Sequence, residues 1–380
     1  MTELRVGVIG GGQLARMMTP PAINLGLTLK VLSETTDASA ALATTAVGDY
    51  TQLATVQAFA QTVDVITFDH EHVPLAVLEA LEAAGHSVQP PSRALAFAQN
   101  KLRMRERLSE LGLPMPDWAE IHDAAALDAF IADHGGVAIL KTPIGGYDGK
   151  GVRVVRSSAD AADWLGAEGL AKVGGHLLAE EKVNFTRELA QLSARRPSGE
   201  FLAWPLVQTT QADGVCAEVL APAPGATDAQ LVEAARIARA VSEGLGVTGV
   251  LAVEMFETTD GHLLINELAM RPHNSGHFSI EGAVTSQFEQ HLRAVLDLPL
   301  GETTLTAGHA VMVNLLGVDD TNDFLPHYEK ALAEFPAAKI HTYGKGARKG
   351  RKMGHVTVVS DDANHALAQA RGAAKLLRGE

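Results

Sequence analysis

Residues 251–277 read LAVEMFETTDGHLLINELAMRPHNSGH. Two apolar runs, Val250 to Glu257 and His262 to Leu268, flank Asp260-Gly261, a dipeptide suited to a two-residue hairpin turn. With that turn Thr259 faces His262, and stepping outward along the ladder places Glu254 opposite Glu267. Directly paired side chains sit about 4.5–5.5 Å apart at Cβ, where two carboxylates repel each other. A cation between them offsets that repulsion, and oxygen-only ligation suits Mg²⁺ better than zinc. Solvated strand residues are the plainer explanation. Against it, Asn266 offers an amide oxygen beside Glu267, and Arg271, His273, Asn274, Ser275 and His277 follow in a short loop opened by Pro272 and eased by Gly276. A structural loop rarely gathers so many anion-binding groups beside paired carboxylates, so the stretch reads as a functional site.

The chain has 380 residues and a formal net charge of −14. That length allows two or three domains with substantial cores. The charge argues against a general nucleic-acid or anionic-membrane binder, so anionic ligands must be met by local cationic clusters. Cys216 is the only cysteine, which excludes an internal disulfide framework and a cysteine-based zinc site and fits a reducing cytoplasm. Neither a signal peptide nor a membrane span is indicated.

Leu4 to Ile9 reads as a strand, followed by Gly10-Gly11-Gly12 and a helix starting at Gln13. Gly10, Gly12 and Ala15 fit G-x-G-x-x-A, and Glu34 lies after the next strand, Thr28 to Leu32, where a ribose-binding acid would sit. An NAD-dependent dehydrogenase is therefore one reading. Pro20-Pro21 should kink or end the first helix. The strand Val63 to Phe68 delivers Asp69, His70, Glu71 and His72 to its C-terminal end, the ligand-binding edge of an open parallel sheet. Neighbouring strand residues face opposite ways, so the four cannot all converge, and Glu71 is taken as an acceptor for a polar ligand. A helix follows over Pro74 to Ala84, and Pro90-Pro91 ends a first domain near residue 92.

Ser92 to Leu111 reads as one amphipathic helix with Leu95, Leu102, Leu108 and Leu111 apolar. Lys101, Arg103, Arg105 and Arg107 read as its solvated side, with only Lys101 near the cleft. The strand Val137 to Leu140 ends in Lys141, then Thr142 to Gly151 (TPIGGYDGKG) links it to Val152 to Val155. A phosphate loop of the G-x-x-x-x-G-K-[ST] type needs a helix behind it; a glycine turn between two strands suits a flap whose amides and Lys150 close over phosphates. Leu177 to Val183 carries Glu180-Glu181-Lys182-Val183, whose backbone can meet an adenine edge, and Glu188 can accept from ribose hydroxyls. Thr227 and Gln230 form a capping box opening a helix with Leu231, Ala234, Ala238 and Val241 on one face, packed behind the carboxylate hairpin. From about Gly301 come strands His309 to Leu316, Lys339 to Tyr343 and His355 to Ser360 and a final helix from Asp361 to Leu377. Between them lie Lys345, Arg348, Lys349, Arg351 and Lys352, suited to a phosphate monoester.

The segments GGGQLARM, TFDHEHV, GGYDGKGV, EEKVNFTRE, NELAMRPHNSGH and YGKGARKGRKMGHV, in that order over nearly the whole chain, resemble the ATP-grasp superfamily and, within it, the 5-(carboxyamino)imidazole ribonucleotide synthetases. The resemblance implies a mixed α/β and α+β architecture, an ATP-grasp fold with a Rossmann-like N-terminal domain (1–92), an ATP-grasp domain (93–300, its flap subdomain about 118–190) and a small C-terminal α/β domain (301–380). It implies that Lys101, Lys141, Gly146, Tyr147, Asp148, Gly149, Lys150, Gly151, Val152, Glu180, Glu181, Lys182, Val183, Glu188, Asn266 and Glu267 bind ATP. Glu254 and Glu267 would hold Mg²⁺, with Mn²⁺ as an alternative. Arg271, His273, Asn274 and Gly276 would position bicarbonate and its phosphorylated form, with Asp148 orienting or deprotonating the amine of the acceptor. Gln13, Glu71, Asp148, Lys345, Arg351 and Lys352 would take 5-aminoimidazole ribonucleotide.

The activity so implied is ATP-dependent carboxylation of that amine through carboxyphosphate, in purine biosynthesis, by a cytoplasmic homodimer needing no nucleic acid, membrane or NAD. Two positions depart from the family: Gln211 stands at a nucleotide contact where a histidine is usual, and Asp69 where a glutamate is usual. The alternatives are a formate-dependent or other carboxylate-activating ligase of the same superfamily, the NAD-dependent dehydrogenase, and a catalytically silent nucleotide binder.

Overall fold

The computed structural model describes residues 3–146, 151–212, 214–318 and 323–380. Its first sheet is parallel, built from β1 (Arg5–Ile9), β2 (Thr28–Ser33), β3 (Thr44–Val47) and β4 (Val65–Phe68) in the order β3-β2-β1-β4. The apolar runs of β1 and β4 are buried almost throughout, as strands covered on both faces require. Their C-terminal ends present Gly10 to Gly12 and Asp69 to His72 side by side. The first helix runs Gln13–Asn24 through both prolines, so it does not end at them. Each proline removes a helical hydrogen bond, at a cost of ~3 kcal/mol in a helix interior. Met17 and Met18 before the pair and Ala22 after it are buried, so packing on both sides keeps the segment helical.

A second, antiparallel sheet comprises β5 (Trp118–Ile121), β6 (Ala138–Lys141), β7 (Val152–Val155) and β8 (Leu177–Glu181) in the order β5-β8-β6-β7. The third sheet holds β9 (Phe185–Arg195), β10 (Phe201–Ala203), β11 (Val207–Ala212), β12 (Val215–Ala221), β13 (Gly249–Thr258), β14 (Leu263–Ala269), β15 (His309–Leu316), β16 (Lys339–Thr342) and β17 (Lys352–Ser360). Its order is β14-β13-β9-β11-β12-β15-β17-β16, with β10 beside β9, so the C-terminal strands extend the sheet that carries the carboxylate hairpin.

The capping box of Thr227 and Gln230 forms and opens the helix Asp228–Leu245. Its buried face contains Ala234, Ile237, Ala238 and Val241 and packs on β9, β13 and β14. Leu231, assigned to that face from spacing, is exposed, and Ile237 takes its place. The segment Ser92 to Leu111 is two helices, Ser92–Gln99 and Lys101–Glu110, rather than one. Asn100 separates them with extended backbone, and its side chain accepts from the amides of Leu102 and Arg103, which starts a new helix at Lys101.

Candidate active site

The hairpin reaches the expected facing pair by an unexpected route. The Thr258 amide donates to the His262 carbonyl at 2.9 Å, so Thr258 rather than Thr259 faces His262 and the loop has three residues, Thr259 to Gly261. Gly261 takes the left-handed conformation (φ 87°) that such loops use. Met255 therefore pairs with Ile265, one step from the register of a two-residue turn. A bulge at Asn266 then restores the count, and Glu254 pairs with Glu267. In a regular strand Asn266 and Glu267 would face opposite sides. The bulge re-aims one of them, and both line the same cleft.

That cleft has a volume of about 1410 Å³ and is walled by the second and third sheets, with Gln13 and Leu14 of the first helix and the loop after β4 closing one end. Of the residues named from sequence, Gln13, Glu71, Lys101, Lys141, Gly146, Val152, Glu180 to Val183, Glu188, Gln211, Glu254, Asn266, Glu267, Arg271, His273, Asn274, Lys345, Arg351 and Lys352 all line it. Gly276 lies behind the lining, where a Cβ would come 2.4 Å from Gln287 Oε1. Gly151 turns the chain beside Thr142. Tyr147, Asp148, Gly149 and Lys150 lie outside the described residues.

On the nucleotide side, Lys101 Nζ stands 3.2 Å from Glu267 and 3.4 Å from the Gly146 carbonyl. Lys141 Nζ lies 2.6 Å from Glu180 Oε2 and donates to Asn266 Oδ1 at 3.3 Å. Burial pushes the Glu180 carboxyl up, but Lys141 and Arg105 together hold it below its usual range. Its carboxylate is thus spent on internal cations. Glu188 is raised mainly by burial, with a partly offsetting hydrogen bond from Gln211. Phe185 and Phe256 stack at 4.7 Å on the same wall, an apolar platform for a planar base.

Burial, reinforced by Glu267, pushes Glu254 up to about 7. With Glu267 and Asn266 it forms an all-oxygen donor set, which fits a hard divalent cation such as Mg²⁺ or Mn²⁺. His273 Nε2 is 3.5 Å from Glu254. Its Nδ1 accepts from the Ser275 amide at 3.4 Å, so the hydrogen-bond network assigns the proton to Nε2. Burial keeps His273 and His277 well below the usual histidine range, hence neutral. Burial works against the Arg271 charge, but Glu71, whose carboxylate accepts from Arg271 Nε at 2.8 Å, together with Asp69 and Glu267 outweighs it.

At the far end Lys345 donates to Gln13, and the basic loop closes over the ends of β1 and β4. The Ala15 amide, at the start of the first helix, donates to Asp69 Oδ1 at 2.8 Å. An internal carboxylate therefore occupies the helix N-terminus where a dinucleotide pyrophosphate would bind, which overturns the NAD reading of Gly10 and Gly12.

Three participants escaped the sequence reading. Arg105, read as solvated, has 0% relative exposure and pairs with Glu180 at 2.7 Å. Its spacing of three from both Leu102 and Leu108 was the available signal. Gln287 grips the anion-binding loop: Oε1 accepts from the His273 amide and Nε2 donates to the His273 carbonyl, both at 2.8 Å, and Nε2 also lies 2.8 Å from His277 Nδ1. Asn314 and Asn274 exchange amide hydrogen bonds at 2.7 and 3.0 Å. Local spacing carries no trace of the last two, because the partners come from distant elements.

A cleft between two antiparallel sheets, with paired carboxylates facing two lysines, defines an ATP-grasp enzyme, an ATP-dependent ligase. Residues 106–288 match the ATP-grasp domain family, 3–99 the ribonucleotide synthetase preATP-grasp domain, and 310–369 the phosphoribosylaminoimidazole carboxylase C-terminal domain. The N5-carboxyaminoimidazole ribonucleotide synthase of Mycobacterium tuberculosis is 48% identical over 379 residues, covering 98% of this chain and 87% of its own. That of Corynebacterium ammoniagenes is 47% identical, covering 98% and 91%. The Aspergillus clavatus synthase, solved with ADP and 5-aminoimidazole ribonucleotide, superposes with a TM-score of 0.88 at 33% identity, covering 100% and 99%. The chain belongs to the N5-carboxyaminoimidazole ribonucleotide synthase family. No helix among the described residues is long and apolar enough to cross a membrane.

Proposed function

We infer that this protein joins bicarbonate to the exocyclic amine of 5-aminoimidazole ribonucleotide with ATP, yielding N5-carboxyaminoimidazole ribonucleotide, ADP and phosphate in purine biosynthesis. The observation that carries this reading is the single cleft in which the Glu254–Glu267 pair, Arg271 with His273, and the basic loop succeed one another. ATP fits between β8 and the hairpin, with its base against Phe185 and Phe256, its ribose at Glu188, and its phosphates at Lys101 and Lys141. Gln211 reaches the ribose site through Glu188 in place of the family's histidine. A divalent cation held by Glu254 and Glu267 would neutralise charge on the phosphates during transfer.

Bicarbonate sits beside Arg271, the His273 Nε2–H and Asn274, which offer donors to its oxygens and to carboxyphosphate. Because His273 is neutral, it donates a hydrogen bond and carries no charge of its own to the intermediate. Residues 1–92 hold the ribonucleotide through Gln13 and Glu71, while 301–380 grip its 5′-phosphate through Lys345, Arg351 and Lys352. Residues 93–300 supply the ATP and bicarbonate subsites. By the family resemblance Tyr147, Gly149 and Lys150 would bind the phosphates, and Asp148 would orient or deprotonate the amine. Exclusion of water then protects carboxyphosphate until the amine attacks its carbon, expelling phosphate, or captures the CO₂ it releases. The working unit is a homodimer, as the family reading implies.

The test is ADP release from ATP, Mg²⁺ and bicarbonate, with and without the ribonucleotide. Release that rises with the ribonucleotide supports the assignment. Release that responds to formate instead would move the protein to the formate-activating ligases, and no release would remove the ligase reading.

A further inference from the structure

The buried guanidinium of Arg105 touches both walls of the nucleotide cleft. From the helix Lys101–Glu110 it reaches Glu180 in the small sheet, with Nε 2.7 Å from Oε1. Its other end reaches the hairpin, where one terminal nitrogen donates to the Ile265 carbonyl at 2.9 Å and the other to the Asn266 carbonyl at 2.7 Å. These are the carbonyls at the bulge, where Asn266 has no partner in the β13 ladder. The same bulge aims Asn266 and Glu267 into the cleft, and Glu180 in turn holds Lys141 at 2.6 Å.

We propose that Arg105 is a positioning residue for phosphoryl transfer: one planar fork sets Lys141, through Glu180, and the Asn266–Glu267 bulge, through its carbonyls, at a fixed separation. This rests on the reading that Lys141, Asn266 and Glu267 meet the metal–nucleotide complex. Stability alone does not call for such a group, because a well-packed apolar side chain is often as good as, or better than, a buried ion pair. What the guanidinium adds is directionality. It carries five donors in a rigid plane, whereas a lysine at the same place is a single point charge that can serve Glu180 but cannot also span both carbonyls.

Arg105→Lys separates this role from bulk stability, since it retains the buried charge beside Glu180. The variant should fold, bind ADP about tenfold more weakly and lose about 10- to 100-fold in kcat, the scale of a small misplacement at a reacting centre. The KM values for the ribonucleotide and bicarbonate should stay at their wild-type values, because their subsites do not touch Arg105. Arg105→Met, which also leaves the buried Glu180 charge to Lys141 alone, should lower Tm as well, with the rates normalised to the folded fraction. Wild-type kcat and ADP affinity in folded Arg105→Lys would overturn the proposal. So would a kcat loss in Arg105→Lys that disappears once the rate is divided by folded fraction, which is what a purely structural role predicts. ADP affinity is measured without the reaction, so it judges Arg105 even if the wild-type enzyme proved indifferent to the ribonucleotide and the proposed acceptor had to be abandoned.

Discussion

Glu71 accepts a 2.8 Å hydrogen bond from Nε of Arg271, 200 positions later in the chain. The contact joins the end of β4 in the N-terminal sheet to the loop that follows the carboxylate hairpin, so the two proposed acceptor subsites share one ion pair. Glu71→Gln keeps the shape but leaves the Arg271 charge with a neutral acceptor. A charged hydrogen bond is worth about 1.5–3 kcal/mol, so kcat/KM for the ribonucleotide should fall at least tenfold. ADP affinity, read by calorimetry, should be unchanged.

Glu267→Gln leaves Asn266 and the bulge in place but removes one of the two facing charges. ADP release should fall about 10²-fold, the scale of losing one preorganised electrostatic contact to the transition state. Raising Mg²⁺ should recover part of the loss if the defect is metal affinity, which a titration of rate against Mg²⁺ checks.

Gly276→Ala would put a methyl 2.4 Å from Gln287 Oε1 and 2.5 Å from Leu192 Cδ2. Since Gln287 holds the backbone of His273 on both sides, the strain should travel to the bicarbonate subsite. The expected result is a stability lowered by the ~1–3 kcal/mol typical of overpacking, seen as a lower Tm, and a KM for bicarbonate raised more than that for ATP. Thermal unfolding and initial rates distinguish the two effects.

His291 is fully buried, its Nδ1 accepting from the Val250 amide at 3.0 Å and its Nε2 lying 2.7 Å from Thr67 Oγ1. Burial lowers it from 6.5 to about 3. A folded value below the unfolded one means that the unfolded chain binds the proton first. Its contribution is therefore fully present above pH 6.5 and is lost progressively as the pH falls toward about 3. At one unit below the unfolded value the loss is about 1.4 kcal/mol for each such histidine. His273, His277 and His355 are depressed in the same direction, so acid destabilisation should begin before carboxylates of ordinary pKa titrate, offset in part by Glu254, which is raised to about 7 and takes up its proton first in the folded state. Denaturant melts between pH 7.5 and 5.5 should show this, with a shallower slope in His291→Gln.

The legible part of the site was the part written in local patterns. Glu254, Asn266, Glu267 and the Arg271 to His277 loop fall within one short stretch, and the basic residues from Lys345 to Lys352 within another. Even there, the facing of Glu254 and Glu267 was reached from a wrong turn length. Two offsets of one residue cancelled, the three-residue loop against the bulge at Asn266. A bulge depends on what receives the carbonyls it frees, and here that is Arg105, from a helix 160 positions earlier.

Sequence by itself determined the opening strand, glycine turn and helix, the carboxylate hairpin, the basic loop and the family, because hydrophobic period, glycine turns and clustered charges are short-range properties of the chain. It left open which cations are solvated. Arg105 and Arg103 sit two residues apart on one helix, yet Arg105 is fully buried while Arg103 is exposed. Nor could it tell that two prolines would stay inside a helix, or that Asp69 would fill the helix N-terminus a dinucleotide would need. Those outcomes were decided by tertiary structure, since the cost of burying a charge, a proline or a carboxylate is set by partners that only the folded chain brings within hydrogen-bonding distance.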